Sequence, residues 1–146
     1  VTLPPPQRGD VIRYSYLWAD ENAKGRDEGR KDRPAVVLAL SVMQARGRTR
    51  VMVLAVTHSP PRDDTDAVPL SAETRKVVGL GDDPAWVVTT EANSFVWPGP
   101  DVRPVPNRRP RVVVYGRLPM TVLRAVAASF LANRERQRAR LVNRTE

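Results

Sequence analysis

Two apolar runs, residues 35–42 and 51–56, limit what this chain can fold into. Nearly continuous apolar runs of this length, bounded by turn residues, fit strands that are covered on both faces. Ala45-Arg46-Gly47-Arg48-Thr49 lies between them and reads as a turn. Ser59-Pro60-Pro61 stops the second run. Residues 11–18 carry the β-formers Val11, Tyr14, Tyr16 and Trp18 and read as another strand. Shorter strands are expected at 67–70, 86–91 and 111–117. Residues 71–77 read as one helical turn capped by Ser71. One segment shows sustained helical periodicity: Leu123, Val126, Ala127, Phe130 and Leu131 recur at steps of three and four behind Pro119.

Strands joined by short turns, with few helical crossovers, predict an antiparallel arrangement. The expected class is mainly β (α+β), an antiparallel barrel with a C-terminal helix. The chain has 146 residues, enough for one domain with its own core. Within that domain, 1–7 is proline-rich and extended, 8–131 holds the barrel and its helix, and 132–146 is a basic tail that continues the helix or frays. Residues 19–32 are charged, contain Gly25 and Gly29, and read as a long loop. Residues 95–110 are broken by Pro98, Pro100, Pro104, Pro106 and Pro110, which keep them out of a central strand.

Composition excludes several chemistries. There is no cysteine, so disulfides, thiolate metal sites and cysteine nucleophiles are absent, and the single histidine rules out a histidine-rich metal centre. No metal or cofactor is expected. No apolar run approaches a membrane span and the first residues lack the regions of a signal peptide, so a soluble, cytoplasmic protein without membrane contact is expected. Lysine and arginine total 24 against 16 acidic residues, a net charge of +8, and only Lys24, Lys31 and Lys76 are lysine. Arginine pairs with phosphate through two donors and stacks on bases, which suits a nucleic-acid partner. Arginine-favouring codons would leave the same bias, and a basic chain also attracts acidic proteins.

Arg33 and Thr57 stand at the ends of strands that are otherwise apolar, which is how an open barrel presents polar groups at its rim. Five phrases then occur in a particular order: Arg8-Gly9-Asp10-Val11, Arg33-Pro34-Ala35-Val36-Val37, Thr57-His58-Ser59, Val87-Val88-Thr89-Thr90-Glu91 and Gly116-Arg117-Leu118. This order resembles the MazF/PemK family of toxin ribonucleases over residues 8–131. The resemblance implies an SH3-like barrel, usually a homodimer, that cleaves single-stranded RNA without a metal and is held in check by an acidic antitoxin. It implies attack of a 2′-hydroxyl on the adjacent phosphate, leaving a cyclic phosphate and a 5′-hydroxyl. The chain departs from the family after Glu91, where Ala92-Asn93-Ser94-Phe95 replaces a Gln-x-Arg-Thr phrase, so Ser94 stands where an arginine is usual.

Such a reaction needs a proton acceptor, charge stabilisation at phosphorus and a proton for the leaving oxygen. Arg33 is the expected fixed cation, Thr57 a hydrogen-bond partner of the phosphate, and Ser59 a weaker candidate for the same part. Glu91 is the expected base. His58, whose side chain is best tuned for proton transfer near neutrality, is a second candidate. Strand alternation points it away from Thr57 unless the strand bends. Phe95 and Trp97 are candidate base-stacking residues, and Trp18 reads either as a third or as a packed aromatic. Lys24, Arg26, Arg30 and Lys31 in the charged loop are candidate RNA contacts, and Arg134–Arg140 is a further basic cluster. Two other readings stay open: a CcdB-like, non-enzymatic inhibitor of DNA gyrase, motivated by Ser94, and an RNA-binding module of the same fold without toxicity.

Overall fold

The computed structural model describes residues 3–25, 31–43 and 47–144. The chain is mainly β with a few helices. The strands are β1 (Asp10–Tyr14), β2 (Arg33–Val42), β3 (Thr49–Thr57), β4 (Ala67–Leu70), β5 (Ala85–Val88), β6 (Glu91–Val96), β7 (Val102–Arg103), β8 (Val114–Arg117) and β9 (Arg140–Asn143). The helices are α1 (Ala19–Ala23), α2 (Ala72–Val77) and α3 (Met120–Glu135). The nine strands form one sheet along the path β4-β5-β3-β2-β1-β7, with β6 beside β3 and β8 beside β1. All pairings are antiparallel except that of β9 with β6. None of the helices among the described residues is long and apolar enough to cross a membrane.

The long apolar runs are strands because both sheet faces are covered. Val36, Leu38, Leu54 and Val56 point into one core, closed by Leu123, Val126 and Phe130 of α3. Their alternates Ala35, Val37, Val51, Val53 and Ala55 point into a second core, made with Ile12, Tyr14, Tyr16 and Phe95. Phe95 stacks on Tyr14 with ring centroids 4.7 Å apart. Such a pair contributes about 0.5–1.5 kcal/mol beyond the area it buries. Phe95 is thus a core residue, 2% exposed, and not a free stacking platform. The proline-rich context of the following residues hides its position on β6, opposite Val51.

Several local signals match the structure. Ser71 Oγ accepts from the Thr74 N–H at 3.1 Å and caps α2. Gly9 has φ +90° and donates its N–H to Val37 O, while its own carbonyl accepts from Leu118. Gly116 lies against Val78, where an added Cβ would stand 2.9 Å from the Val78 Cα.

Other expectations change: the strand expected at 11–18 ends at Tyr14, and the one expected at 111–117 begins at Val114. The charged loop 19–32 begins with helix α1. The strand expected at 86–91 is two strands, with a corner at Thr89 held by bonds from the Thr89 N–H and hydroxyl to Asp66 O and from Asn133 Nδ2 to Thr89 O. Glu91 therefore begins a strand instead of ending one. The basic tail is no fraying helix: the chain reverses after Glu135, with Gln137 at φ 57°, and returns as β9. The reason is polar. The Arg144 side chain is 3% exposed and pairs with Asp101 at 2.9 Å. It also donates to Ser15 O at 2.8 Å and Asn93 Oδ1 at 3.2 Å. Removing one partner of a buried ion pair strands the other and costs about 3–5 kcal/mol. Arg144→Ala should lose about that much in urea unfolding, whereas exposed Arg136→Ala should stay within about 0.5 kcal/mol of wild type.

Candidate functional site

The β2–β3 register pairs Ala35 with Ala55, and carried to the strand ends it sets Arg33 opposite Thr57. Both share the strand parity of the second core, so they project on the aromatic-covered face. They open into a cleft of about 750 Å³. Arg13, Trp18, Lys31, His58, Ser59 and Tyr115 also line it, with Val56, Leu80 and Ala85 as its apolar part.

Arg33 is half-buried. Its guanidinium lies over the Trp18 ring, 4.8 Å from the centroid, a stack that leaves the in-plane N–H donors for other partners. Its Nε is buried with no hydrogen-bond partner among the described residues. A buried donor without an acceptor costs about 1–3 kcal/mol. Burial lowers the pKa of Arg33 from its ordinary value, and the nearby Glu21 carboxylate and Tyr16 oppose that shift.

Thr57 Oγ1 accepts from the Ser59 N–H at 3.1 Å, so the chain turns sharply past the end of β3. That turn carries Ser59 and His58 to the cleft wall. His58 Nδ1 lies 2.9 Å from Pro84 O. A carbonyl partner only accepts, so Nδ1 carries the proton, and in the neutral ring Nε2 is left as the acceptor.

Trp18 is placed by a network that reaches across the molecule. Asn93 clamps Leu17, accepting from its N–H at 2.9 Å and donating to its carbonyl at 2.8 Å. Glu21 Oε1 accepts from the Trp18 N–H at 3.1 Å. Glu91 Oε1 accepts from the Ala19 N–H at 2.8 Å and from the Tyr16 hydroxyl at 3.3 Å, closing the start of α1. Leu17, Ala19 and Val142 form a small apolar cluster against β9. Asp20 pairs with Arg140 at 3.0 Å.

The cleft thus gathers Arg33, Thr57, His58, Ser59 and Lys31, and leaves other candidates outside. Glu91 does not line it. It sits behind Tyr16 as an acceptor for α1, because the corner at Thr89 turns β6 away from the end of β3. Trp97 is half-buried against Phe95, centroids 6.2 Å apart. Lys24 is exposed in the turn that ends α1, outside the cleft lining. Arg26 and Arg30 fall outside the described residues. Ser94 is buried and its Oγ accepts from Arg50 at 3.1 Å, so the departure after Glu91 lies in the wall of the sheet. Sequence reasoning missed Arg13, Asp32 and Tyr115. Arg13 donates to the Tyr115 hydroxyl at 2.8 Å and faces Asp32 at 3.9 Å. These residues lie far apart in sequence, and no local pattern joins them. Among the described residues no group of three or more His, Cys, Asp or Glu side chains is arranged to hold a metal ion. No family model matches the chain, and no curated protein matches it.

Burial raises the pKa of Glu91 above its ordinary value, against the hydrogen bonds from Ala19 and Tyr16. The folded state then holds this proton more tightly than the unfolded chain does. The Glu91 contribution to stability is full below its unfolded pKa and is lost as pH rises through the raised value. Glu91→Gln keeps the acceptor and removes the titration. In urea unfolding across mildly acidic pH, the stability of the variant should fall less with rising pH than that of wild type. Parallel curves would show that Glu91 is uncoupled from folding.

Proposed function

We propose that this protein is a toxin-type endoribonuclease that cuts single-stranded RNA by internal transesterification. The observation that carries the reading is the Arg33 guanidinium, stacked on Trp18 with a donor unsatisfied, beside Thr57 in an open cleft. A phosphate oxygen drawn into the cleft pairs with the terminal N–H donors that the stack on Trp18 leaves in plane, and an unpaired base finds Trp18 and the apolar lining.

In this reading Arg33 stabilises the charge that develops on the phosphoryl oxygens. Thr57 and Ser59 position the phosphate. His58 Nε2 takes the proton of the attacking 2′-hydroxyl, the part first expected of Glu91, because His58 lines the cleft and Glu91 does not. The 2′-oxygen bonds to phosphorus as the bond to the 5′-oxygen breaks. That oxygen takes a proton from water admitted by the open cleft. The products are a cyclic phosphate and a 5′-hydroxyl. The burial of Ser94 supports this reading over gyrase inhibition, since the residue that motivated the latter does not line the cleft. An SH3-like identity for the sheet, a homodimer, an acidic antitoxin and a cytoplasmic setting belong to the proposal through the resemblance to MazF/PemK.

The test is cleavage of a long, mixed-sequence RNA with chelator present, followed by mapping of the ends. Wild type should give discrete cuts with cyclic-phosphate ends. Arg33→Ala should lose about 10²–10³ in rate, and His58→Ala about 10²–10⁴. Glu91→Gln should cut within a few-fold of wild type. Full activity in Arg33→Ala would overturn the mechanism. Loss in Glu91→Gln with intact folding would return the base role to Glu91. Salt-sensitive RNA binding without any cleavage would leave an RNA-binding module.

A further inference from the structure

The two flanks of the cleft differ in the balance of charge they carry. On the flank formed by the β3–β4 and α2–β5 connections stand Asp63, Asp64, Asp66, Asp82 and Asp83, with Arg62 among them and Arg138 paired to Asp66. On the opposite flank Asp32 is shared between Arg13 at 3.9 Å and Arg103 at 3.6 Å, one carboxylate against two guanidinium groups. Tyr115 continues this basic flank. Its hydroxyl accepts from Arg13, and its carbonyl accepts from Arg108 at 3.0 Å, with the Arg108 guanidinium 6.0 Å from the ring centroid. Arg108 reaches this place across Gly79, where a Cβ would collide with it.

Beyond Arg108 the chain forms a second concavity of about 700 Å³ from residues of the 104–111 loop. Arg108, Arg109 and Arg111 line it, and no acidic residue does. Arg109 and Arg111 are exposed, and among the described residues neither makes a hydrogen bond or ion pair. Pro104, Pro106 and Pro110 fix φ along the loop and so limit the freedom that binding would have to remove.

We propose that loop 104–111 is a second phosphate-binding surface, along which single-stranded RNA leaves the cleft over Tyr115 and contacts Arg108, Arg109 and Arg111. This rests on the reading of the cleft as an RNA site. The direction follows from charge. A polyanion leaving by the other flank meets five aspartates offset by Arg62 and Arg138, whereas the 104–111 loop offers three arginines and no carboxylate. The surface reads no base. It lengthens the bound segment and adds salt-dependent affinity that a short oligonucleotide cannot gain.

The test uses the full chain and labelled RNAs of about four and about twelve nucleotides, the span of site sizes usual for single strands. The RNAs are 2′-O-methylated, so that binding is read without cleavage. Affinity is measured by fluorescence anisotropy over a salt series. In Arg109→Ala/Arg111→Ala the salt slope for the long RNA should fall by about 0.7 for each phosphate no longer neutralised, with the short RNA unchanged. Arg134→Ala/Arg136→Ala removes equal charge elsewhere and should leave the slope for the long RNA as in wild type. Arg33→Ala should weaken both lengths. An unchanged long-RNA slope in the Arg109/Arg111 variant, with both lengths weakened by Arg33→Ala, overturns this surface and spares the cleft. Equal loss in the two double variants reduces the effect to net charge and also overturns it. Unchanged short-RNA binding in Arg33→Ala overturns the cleft reading itself.

Discussion

A sheet that is apolar on both faces needs two covers, and the described residues hold one long amphipathic helix. α3 covers the first face through Leu123, Val126 and Phe130. The second face is left to aromatic residues from scattered places: Tyr14 and Tyr16 at and after the end of β1, Phe95 from β6, with Trp18 and Trp97 packed beside them. These side chains carry large apolar area but come from segments that do not hold themselves in place. The polar network around Asn93 and Arg144 holds them, fixing the backbone of residues 15–17 by side-chain hydrogen bonds. The cleft is a by-product of this arrangement. It lies where the second cover stops, and Trp18 is the last plate of the cover.

The parts legible in the sequence are those whose causes are local. The runs at 35–42 and 51–56, the Ser71 cap and the apolar stripe of α3 depend on neighbours a few residues away. So does the grouping of Arg33, Thr57 and Ser59, because strand parity and one turn determine it. The parts that were not legible depend on distant partners. Thr89 turns a corner because Asp66 and Asn133 bond to it, and that corner alone moves Glu91 from the rim to the back of Tyr16. Arg144 reads as one more cation in a basic tail until Asp101 is seen beside it. Phe95 sits among residues that suggest an exposed loop, while its true neighbours are Tyr14 and Val51.

The phrases at the two ends of the family resemblance form one physical joint. Asp10 Oδ1 accepts from Arg117 Nε at 3.2 Å, Asp10 Oδ2 accepts from the Gln7 N–H at 2.9 Å, and the Gly9 carbonyl accepts from Leu118. β1 and β8 pair here, with Asp10 opposite Arg117. The Arg8-Gly9-Asp10 and Gly116-Arg117-Leu118 phrases thus serve closure of the sheet. The Arg33 and Thr57-His58-Ser59 phrases between them line the cleft, and the proposed chemistry is assigned to them.

The support of Trp18 comes from Asn93 and from the segment at 140–144, far along the chain from the residue they steady. A ribosome-bound chain that has emerged only through β3 has Arg33 and Thr57 on adjacent strands, yet lacks Asn93, Glu91 and β9, which brace the wall beside them. The wall becomes fixed when β9 docks beside β6. The order of synthesis thus delays assembly of the cleft until translation has passed residue 144.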